Sequence, residues 1–469
     1  MNSNFQIGKW LEAPASAIDM TTSVMDKREV APLIEALGVR GVHTVRGTYV
    51  DTSGVFRAKQ VPLSRLGGFN SSGLGASNSW AVFGADDAIC LTPRFSAVGD
   101  MRLRADLETI VDLGDGLAWT PLSLVDQNGV PLDYCARTVL RRQIHEANAI
   151  GLSMIAATEV EFTVYDAKGE PLVGSAYGLT RLSIYEEFVV ALTKALDFVG
   201  APLEQLHAEY GPGQFEISVA PTNPLAAADL NVLLRLVISK VARNCGFMVS
   251  FSPKPFADAI GNGAHSHISF ARNGKPLLSG GDGPHGLTPG GESIIAAYVR
   301  YLPEMAGALA SSALSSMRLQ PSTWSGAYSC WGLENREAAV RLCAATLGNP
   351  QGANVEVKCV DPAANIYAAY AAIVGVARYA LQVSEKLGPE VTLDPANLSD
   401  VERAALGITL VGAEHVEVLR RFSESSLMRE VLGEVLVEVT LAVRQHEADL
   451  VAVEGIEAVA KRLTFAWTA

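Results

Sequence analysis

Five short polar motifs between Thr158 and Tyr367 constrain the fold more than any other feature of this chain. They read Glu159-Val-Glu161-Phe162, His207-Ala-Glu209-Tyr-Gly-Pro-Gly-Gln214-Phe-Glu216, Gly261-Asn-Gly263-Ala-His265-Ser-His267, Asn335-Arg336 with Arg341, and Glu356-Val-Lys358. Glu159 and Glu161 stand two apart in a run with Ala156, Ala157, Val160, Phe162 and Val164, so a strand there points both carboxylates to one face. Like charges that close repel unless a cation separates them, and Mg²⁺ or Mn²⁺ takes oxygen ligands of this kind. The plainer alternative is a solvated strand face. Glu209 and Glu216 flank Gly-Pro-Gly, whose backbone freedom lets two carboxylates curl toward one centre or makes an ordinary exposed turn. His265 and His267 repeat the spacing of two and suit a metal and a phosphate, against the commoner core or surface histidine. Arg336, Arg341 and the upstream Arg318 match phosphate oxygens with paired hydrogen bonds, or else form surface ion pairs.

Composition limits what else the chain can be. At 469 residues it exceeds one compact core and implies two domains, or one large domain with an appendage. With 49% of residues apolar and 19% charged it is a folded globule rather than a disordered chain. A net charge of −13 argues against nucleic acid or anionic lipid as a partner. The six cysteines form no Cys-x-x-Cys pair and read as reduced, buried thiols. Met1 to Ile18 mixes Lys9, Glu12 and Pro14 without an export signal's apolar core, and the apolar run Ile366 to Ala377 is too short to cross a bilayer. The expected location is cytoplasmic.

Along the chain, residues 41–62 alternate apolar and polar around Thr52-Ser53-Gly54 and predict a hairpin. The Gly/Ser/Asn-rich stretch 67–79 predicts a mobile loop. Residues 30–128 read as a small sheet domain, with a boundary near Asn128–Gly129 ahead of a helix containing Ala136 to Ile150. Strands and helices then alternate. One strand is expected over Met154–Asp166, a strand pair or bent strand over His207–Val219, and strands at His265–Phe270 and Asn354–Val360. Helices are expected at 185–198, 229–245 and 292–314, with amphipathic surface helices over 399–463. No glycine-rich phosphate loop is present, so any nucleotide is held by other means.

The five motifs resemble, in order and nearly in spacing, those of the glutamine synthetase superfamily, over most of the chain. The resemblance implies an α+β protein: an N-terminal β-grasp domain, residues 1–129, and a glutamine synthetase-type catalytic α/β domain, residues 130–469. It implies a ring oligomer with active sites between subunits, a dodecamer of two hexameric rings. Two or three Mg²⁺ or Mn²⁺ ions per site are implied, one held by Glu161, Glu209 and Glu216 and another by Glu159, His265 and Glu356. His267, Ser269, Arg336 and Arg341 would face ATP, while Gly261, Arg318 and Lys358 would bind glutamate and its γ-phosphate. ATP would phosphorylate the γ-carboxylate, and an amine would attack the acyl phosphate.

Departures from the family pattern sharpen the expectation. Ammonia-using members carry Arg-Leu-Val-Pro-Gly-Tyr-Glu, where this chain has Arg318-Leu-Gln-Pro-Ser-Thr-Trp324. Their Asp-Gly-Ser-Ser loop is replaced by Asn70-Ser-Ser-Gly73. Trp324 offers a flat apolar face in place of an acid, and with Tyr177 suits an alkyl or aryl amine. Lys358 replaces a usual arginine, and Ile260 an asparagine that helps hold glutamate. Asp51-Thr-Ser-Gly54-Val-Phe-Arg57-Ala-Lys59 resembles a hairpin of relatives that glutamylate organic amines. That branch includes γ-glutamylanilide, alkylamide and polyamine synthetases, and polyamines fit least well because they favour acids around the amine. The leading expectation is an ATP-dependent ligase joining glutamate to an aromatic or short alkyl amine. An ammonia-using glutamine synthetase, with Glu334 or a neighbouring subunit supplying the lost acid, and a non-catalytic structural or regulatory member are the alternatives.

Overall fold

The computed structural model describes Leu11, residues 18–412 and residues 414–469. The stretch read for an export signal lies, apart from Leu11 and Ile18, outside the described residues.

The first sheet is built from β1 (Thr44–Val50), β2 (Phe56–Pro62), β3 (Leu74–Ser77), β4 (Asp100–Ala105), β5 (Val111–Asp112) and β6 (Leu117–Val125). Its order is β2-β1-β6-β4-β3, with β5 added against β6. β1 and β2 form the expected antiparallel hairpin, whereas β1 and β6 run parallel. The hairpin turn is organised by Asp51. Its carboxylate accepts from the amides of Ser53 and Val55, from the Ser53 hydroxyl and from Arg57 Nε at 2.7 Å. The helix Lys27–Val39 covers this sheet, and Val30, Leu33, Phe69, Leu103 and Leu124 share one core.

Residues 67–79 are not a mobile loop. They form the end of the helix Leu66–Ser71, then β3 and the start of a 3₁₀ turn. Asn70 is fully buried, accepting from the Met25 amide and donating to the Ala105 carbonyl, both at 2.9 Å. Gly73 has φ +65°, and a Cβ there would stand 2.7 Å from the Leu103 carbonyl oxygen. The glycine serves a close approach rather than flexibility.

The remaining strands form two sheets. One, in the order β11-β8-β10-β9, contains β8 (Val160–Tyr165), β9 (Leu203–Ala208), β10 (Gln214–Val219) and β11 (Met248–Ser250). The other, in the order β13-β12-β16-β15-β14, contains β12 (Ser266–Arg272), β13 (Lys275–Pro276), β14 (Tyr328–Leu333), β15 (Ala338–Cys343) and β16 (Asn354–Val357). β7 (Leu152–Thr158) pairs with β12 in this sheet. The single strand expected over Met154–Asp166 is therefore two strands in two sheets, and the chain crosses between them at Glu159.

Helices fill the space behind both sheets. Helix Pro224–Asn244 starts ahead of the expected Asp229 because Asn223 caps it, accepting from the Ala226 amide at 2.9 Å, with proline in the first turn. The helix expected over 292–314 ends at Leu309 and restarts as Ala313–Arg318, where Ser312 forms a capping box. Helix Ile366–Val383 is apolar and long enough to span a bilayer but is buried inside the protein. The C-terminal helices are not all superficial: Glu434–Glu454 buries Val437, Val439 and an Arg444–Glu447 ion pair at 2.8 Å.

Candidate active site

Strand register assembles the site. In the β8–β10–β9 ladders Glu216 is the partner of Glu161 on one side and of His207 on the other. Directly paired residues point to the same face, so an acid, an acid and an imidazole form one row. In the neighbouring sheet Glu356 is the partner of His267 on β12 and of Arg341 on β15. Glu159, at the crossover, joins the rows through the chain before β12: its amide donates to the His265 carbonyl at 3.0 Å, and that of Glu161 to the Gly263 carbonyl at 3.2 Å.

His265 is the hub. Its Nδ1 lies 3.1 Å from Glu159 Oε2 and 3.4 Å from Glu356 Oε1, and its Nε2 lies 3.7 Å from Glu161 Oε1. Three sets of potential donor atoms each lie within 4.8 Å of one another: Glu159, His265, Glu356; Glu161, Glu216, His265; and His207, Glu209, Glu216. All six expected metal ligands thus meet. Their grouping differs from the expectation, because His265 also joins the Glu161–Glu216 pair and Glu209 sits beside His207. The sequence reading gave His207 no role; its position two residues before Glu209 on a strand was the available signal.

The electrostatics follow from this crowding. Burial, then the charges of Glu159, Glu161 and Glu209, push the Glu216 carboxyl up to about 10. Burial raises Glu161 as well. Burial also opposes the charge on Glu356, but Lys358, His267 and His265 hold it down to about 2. Lys358 Nζ lies 2.9 Å from Glu356 Oε1, and Arg341 Nη1 3.0 Å from its Oε2. His267 Nδ1 pairs with Asn354 Oδ1 at 2.8 Å, while its buried Nε2 stands 3.3 Å from Glu159 Oε1. Despite its burial, a bond with Cys343 and the nearby glutamates raise His267 well above the usual imidazole range.

The second oxygen of Glu161 is fixed by Gln214 Nε2 and the Gly263 amide, both at 2.8 Å. Gln214 also donates to the Gly261 carbonyl at 2.9 Å. Gly261 leaves no room for a side chain, since a Cβ would stand 2.8 Å from Arg318 Cγ.

Other expected residues are placed less centrally. Arg318 is buried, its Nη2 donating to the carbonyls of Lys358, Cys359 and Val360. Arg336 is exposed in the turn between β14 and β15 and forms no ion pair among the described residues, whereas Arg341 also reaches Glu334 at 2.6 Å. Ser269 donates to the Ala353 carbonyl at 2.8 Å. Tyr177 stacks on His207 with ring centroids 6.0 Å apart, and Trp324 is 54% exposed.

A cluster of buried carboxylates and imidazoles beside a lysine and an arginine can hold divalent cations and face a polyanion. Comparisons with known proteins agree with that chemistry. The glutamine synthetase catalytic domain matches residues 133–458. A gamma-glutamylpolyamine synthetase of Streptomyces coelicolor is 40% identical over 89% of this chain and 92% of its own. A glutamine synthetase of Methanosarcina mazei is 27% identical over 89% of this chain and 93% of its own. The crystal structure of a glutamine synthase homologue, 29% identical, superposes with a TM-score of 0.81 over 90% of this chain and 98% of its own. With the carboxylate–imidazole cluster on the matched segment and the same fold around it, the chain belongs to the glutamine synthetase family.

Proposed function

We propose that the protein is an ATP-dependent ligase that joins the γ-carboxylate of L-glutamate, by way of γ-glutamyl phosphate, to an organic amine. The observation that carries this reading is the three-part cluster in which His265 and Glu216 are each shared between neighbouring donor sets. The donor set fits hard divalent cations: oxygen ligands dominate, and Glu161 faces Glu216 across a ladder where two anions repel unless a cation lies between them. Glu159, His265 and Glu356 would hold one Mg²⁺ or Mn²⁺, and Glu161, Glu216 and Glu209, with His265 and His207 at their margins, would hold the others. Bound there, the ions supply charge neutralisation for the transferring phosphoryl group.

The chain's own groups set the stage for that transfer. Glu356 orients Arg341 and Lys358 by ion pairs on its two oxygens, aiming two cations toward the phosphates. Exposed Arg336 is free to meet ATP from the β14–β15 turn, beside His267 and Ser269. Arg318, tied to three carbonyls, braces Gly261 and the backbone of Lys358 where glutamate is proposed to lie. Tyr177 and Trp324 are proposed to wall the amine subsite. The polyamine ligase from Streptomyces supports an aliphatic amine, and the exposed indole face of Trp324 supports an alkyl or aryl group beside the nitrogen.

The parallel β1–β6 pair at the centre of the first sheet supports a β-grasp domain over 1–129, with the catalytic domain over 130–469. A dodecameric ring and a cytoplasmic location complete the proposal. The test is phosphate release from ATP with Mg²⁺ or Mn²⁺ and glutamate against an amine panel. An organic amine with kcat/KM above that of ammonia is expected; ammonia outperforming every organic amine refutes the substrate reading, and no release at all refutes the enzyme.

A further inference from the structure

Glu337 lies between the Arg336 turn and β15, and no motif singled it out. Its side chain is only 6% exposed and is folded under the segment Gln320–Gly326. One oxygen, Oε1, accepts the Trp324 amide at 2.8 Å and the Ser322 amide also acts on the carboxylate, while Oε2 is buried with no close hydrogen-bond partner among the described residues. A buried carboxylate with an uncommitted oxygen is costly, and such a group calls for a donor the chain itself does not supply. The loop above it is held in an unfavourable backbone shape, with Ser322 at φ +60° and Trp324 at φ +56°. Within the loop Thr323 Oγ1 donates to the Gln320 carbonyl at 2.6 Å and pairs with Ser325 Oγ at 2.9 Å, and Ser325 Oγ donates to the same carbonyl at 3.3 Å. Ser322 Oγ, bonded to Asp394 Oδ2 at 3.0 Å, and the Glu337 carboxylate tie the loop outward.

The position of this carboxylate is specific. It holds the residue proposed to wall the amine subsite, and β15 carries on from it to Ala339, whose carbonyl accepts the Lys358 amide at 3.0 Å. A Cβ on Gly326 would stand 2.6 Å from Lys358 Cβ and 3.1 Å from Ala339 Cα, so the loop is pressed against Lys358. Glu337 therefore lies between Trp324, proposed to wall the amine, and the Ala339–Lys358 pair at the proposed glutamate end.

We infer that Glu337 is the acid of the amine subsite. Its open oxygen receives the protonated nitrogen of an aliphatic amine whose chain lies along Trp324, and its other oxygen keeps Trp324 in place. The inference rests on the ligase reading and deepens it, because it assigns the substrate as a cationic aliphatic amine, a monoamine or a diamine, rather than a neutral arylamine. It also gives an acid to the amine subsite by a route other than position 324: from the turn that leads into β15 instead of from the loop.

The test compares cyclohexylamine, protonated near neutral pH, with aniline, which has a ring of the same size and is neutral. In the wild-type enzyme kcat/KM for cyclohexylamine should exceed that for aniline tenfold or more. In E337Q, which keeps an acceptor for the Trp324 amide but loses the charge, KM for cyclohexylamine should rise at least tenfold, with KM for ATP, glutamate and aniline within twofold. A wild-type preference for aniline overturns the inference without any variant. So does an E337Q enzyme whose KM values for both amines move together, since that is the mark of a loop brace alone. Failure of every amine of the panel to give phosphate release overturns the ligase reading and this inference with it, whereas release with other amines but with neither of these two overturns the inference alone.

Discussion

Glu161 and Glu216 are register partners in the antiparallel ladder of β8 and β10, two buried carboxylates facing each other with the His265 imidazole beside them. In the metal-free protein Glu216 answers by keeping a proton, its carboxyl pushed up to about 10 by burial and by Glu159, Glu161 and Glu209. The folded state thus binds a proton that the unfolded chain releases near the ordinary value of 4.5. The stabilisation is complete below about pH 4.5 and is lost as pH rises toward 10, so metal-free stability should fall across the neutral and alkaline range. His267, raised well above its ordinary value, acts in the same direction. A divalent cation must displace the Glu216 proton, so its affinity should climb with pH and its binding should release protons. Denaturation midpoints with chelator and with Mg²⁺ or Mn²⁺ at several pH values check both statements. E216Q should be at least as stable as wild type in chelator and should lose most of the metal-induced stabilisation.

Glu356 stands between two cations and two imidazoles, and its substitutions should separate charge from fold. E356A leaves Lys358 buried without its partner and removes one of the two carboxylates of Arg341. Breaking a buried ion pair from one side typically costs about 3–5 kcal/mol, so urea unfolding should show a loss on that order. E356Q keeps the shape and an acceptor. It removes the charge shared by Lys358 and Arg341 and leaves one oxygen for two cationic donors, so it should lose much of the same stability and 10²-fold or more in kcat. Loss of stability in E356A alone, with stability and kcat both kept in E356Q, would assign Glu356 to packing alone.

Much of this site is legible in the sequence because its ligands come in pairs two residues apart. Glu159 with Glu161 and His265 with His267 announce a shared direction before any partner strand is known. The reason given for the first pair is incomplete, since Glu159 lies at the crossover between sheets and reaches His265 from the opposite side to Glu161. The placement of β12 between β7 and β16 is not readable locally, because it joins strands more than a hundred residues apart in the chain. The segment 67–79 misled for a physical reason: its glycines look like flexibility, yet Gly73 is there to let the backbone pass the Leu103 carbonyl. Asn70, which opens the segment read in place of the family's Asp-Gly-Ser-Ser loop, is buried in a structural bond to Ala105.

Trp324 gives the sharpest test of amine choice. The indole is half-exposed on a loop whose backbone is fixed by Glu337, so a substitution there changes the surface offered to the amine more than the fold. W324E places an acid where ammonia-using relatives carry one. The ratio of kcat/KM for ammonia to that for the best organic amine should rise tenfold or more. W324A should raise KM for the organic amine several-fold and leave KM for ATP unchanged. If neither ratio moves, the amine does not touch this loop.

Gly261 joins the site to the buried Arg318, and a single methyl group should reveal how tightly. A Cβ at this position would run into the Pro253 carbonyl oxygen and stand 2.8 Å from Arg318 Cγ. Relief requires either the backbone at Gly261 or the Arg318 side chain to shift, and Arg318 is held by three carbonyls from Lys358 to Val360. Overpacking of this kind costs about 1–3 kcal/mol. The Gly261 carbonyl also accepts from Gln214, which fixes Glu161, so the displacement passes to the carboxylate row. G261A should therefore lower stability by that order and raise KM for glutamate together with the half-saturating metal concentration. Loss of stability with both constants unchanged would show that the Gly261–Gln214–Glu161 chain does not couple the acid-binding loop to the metal ligands.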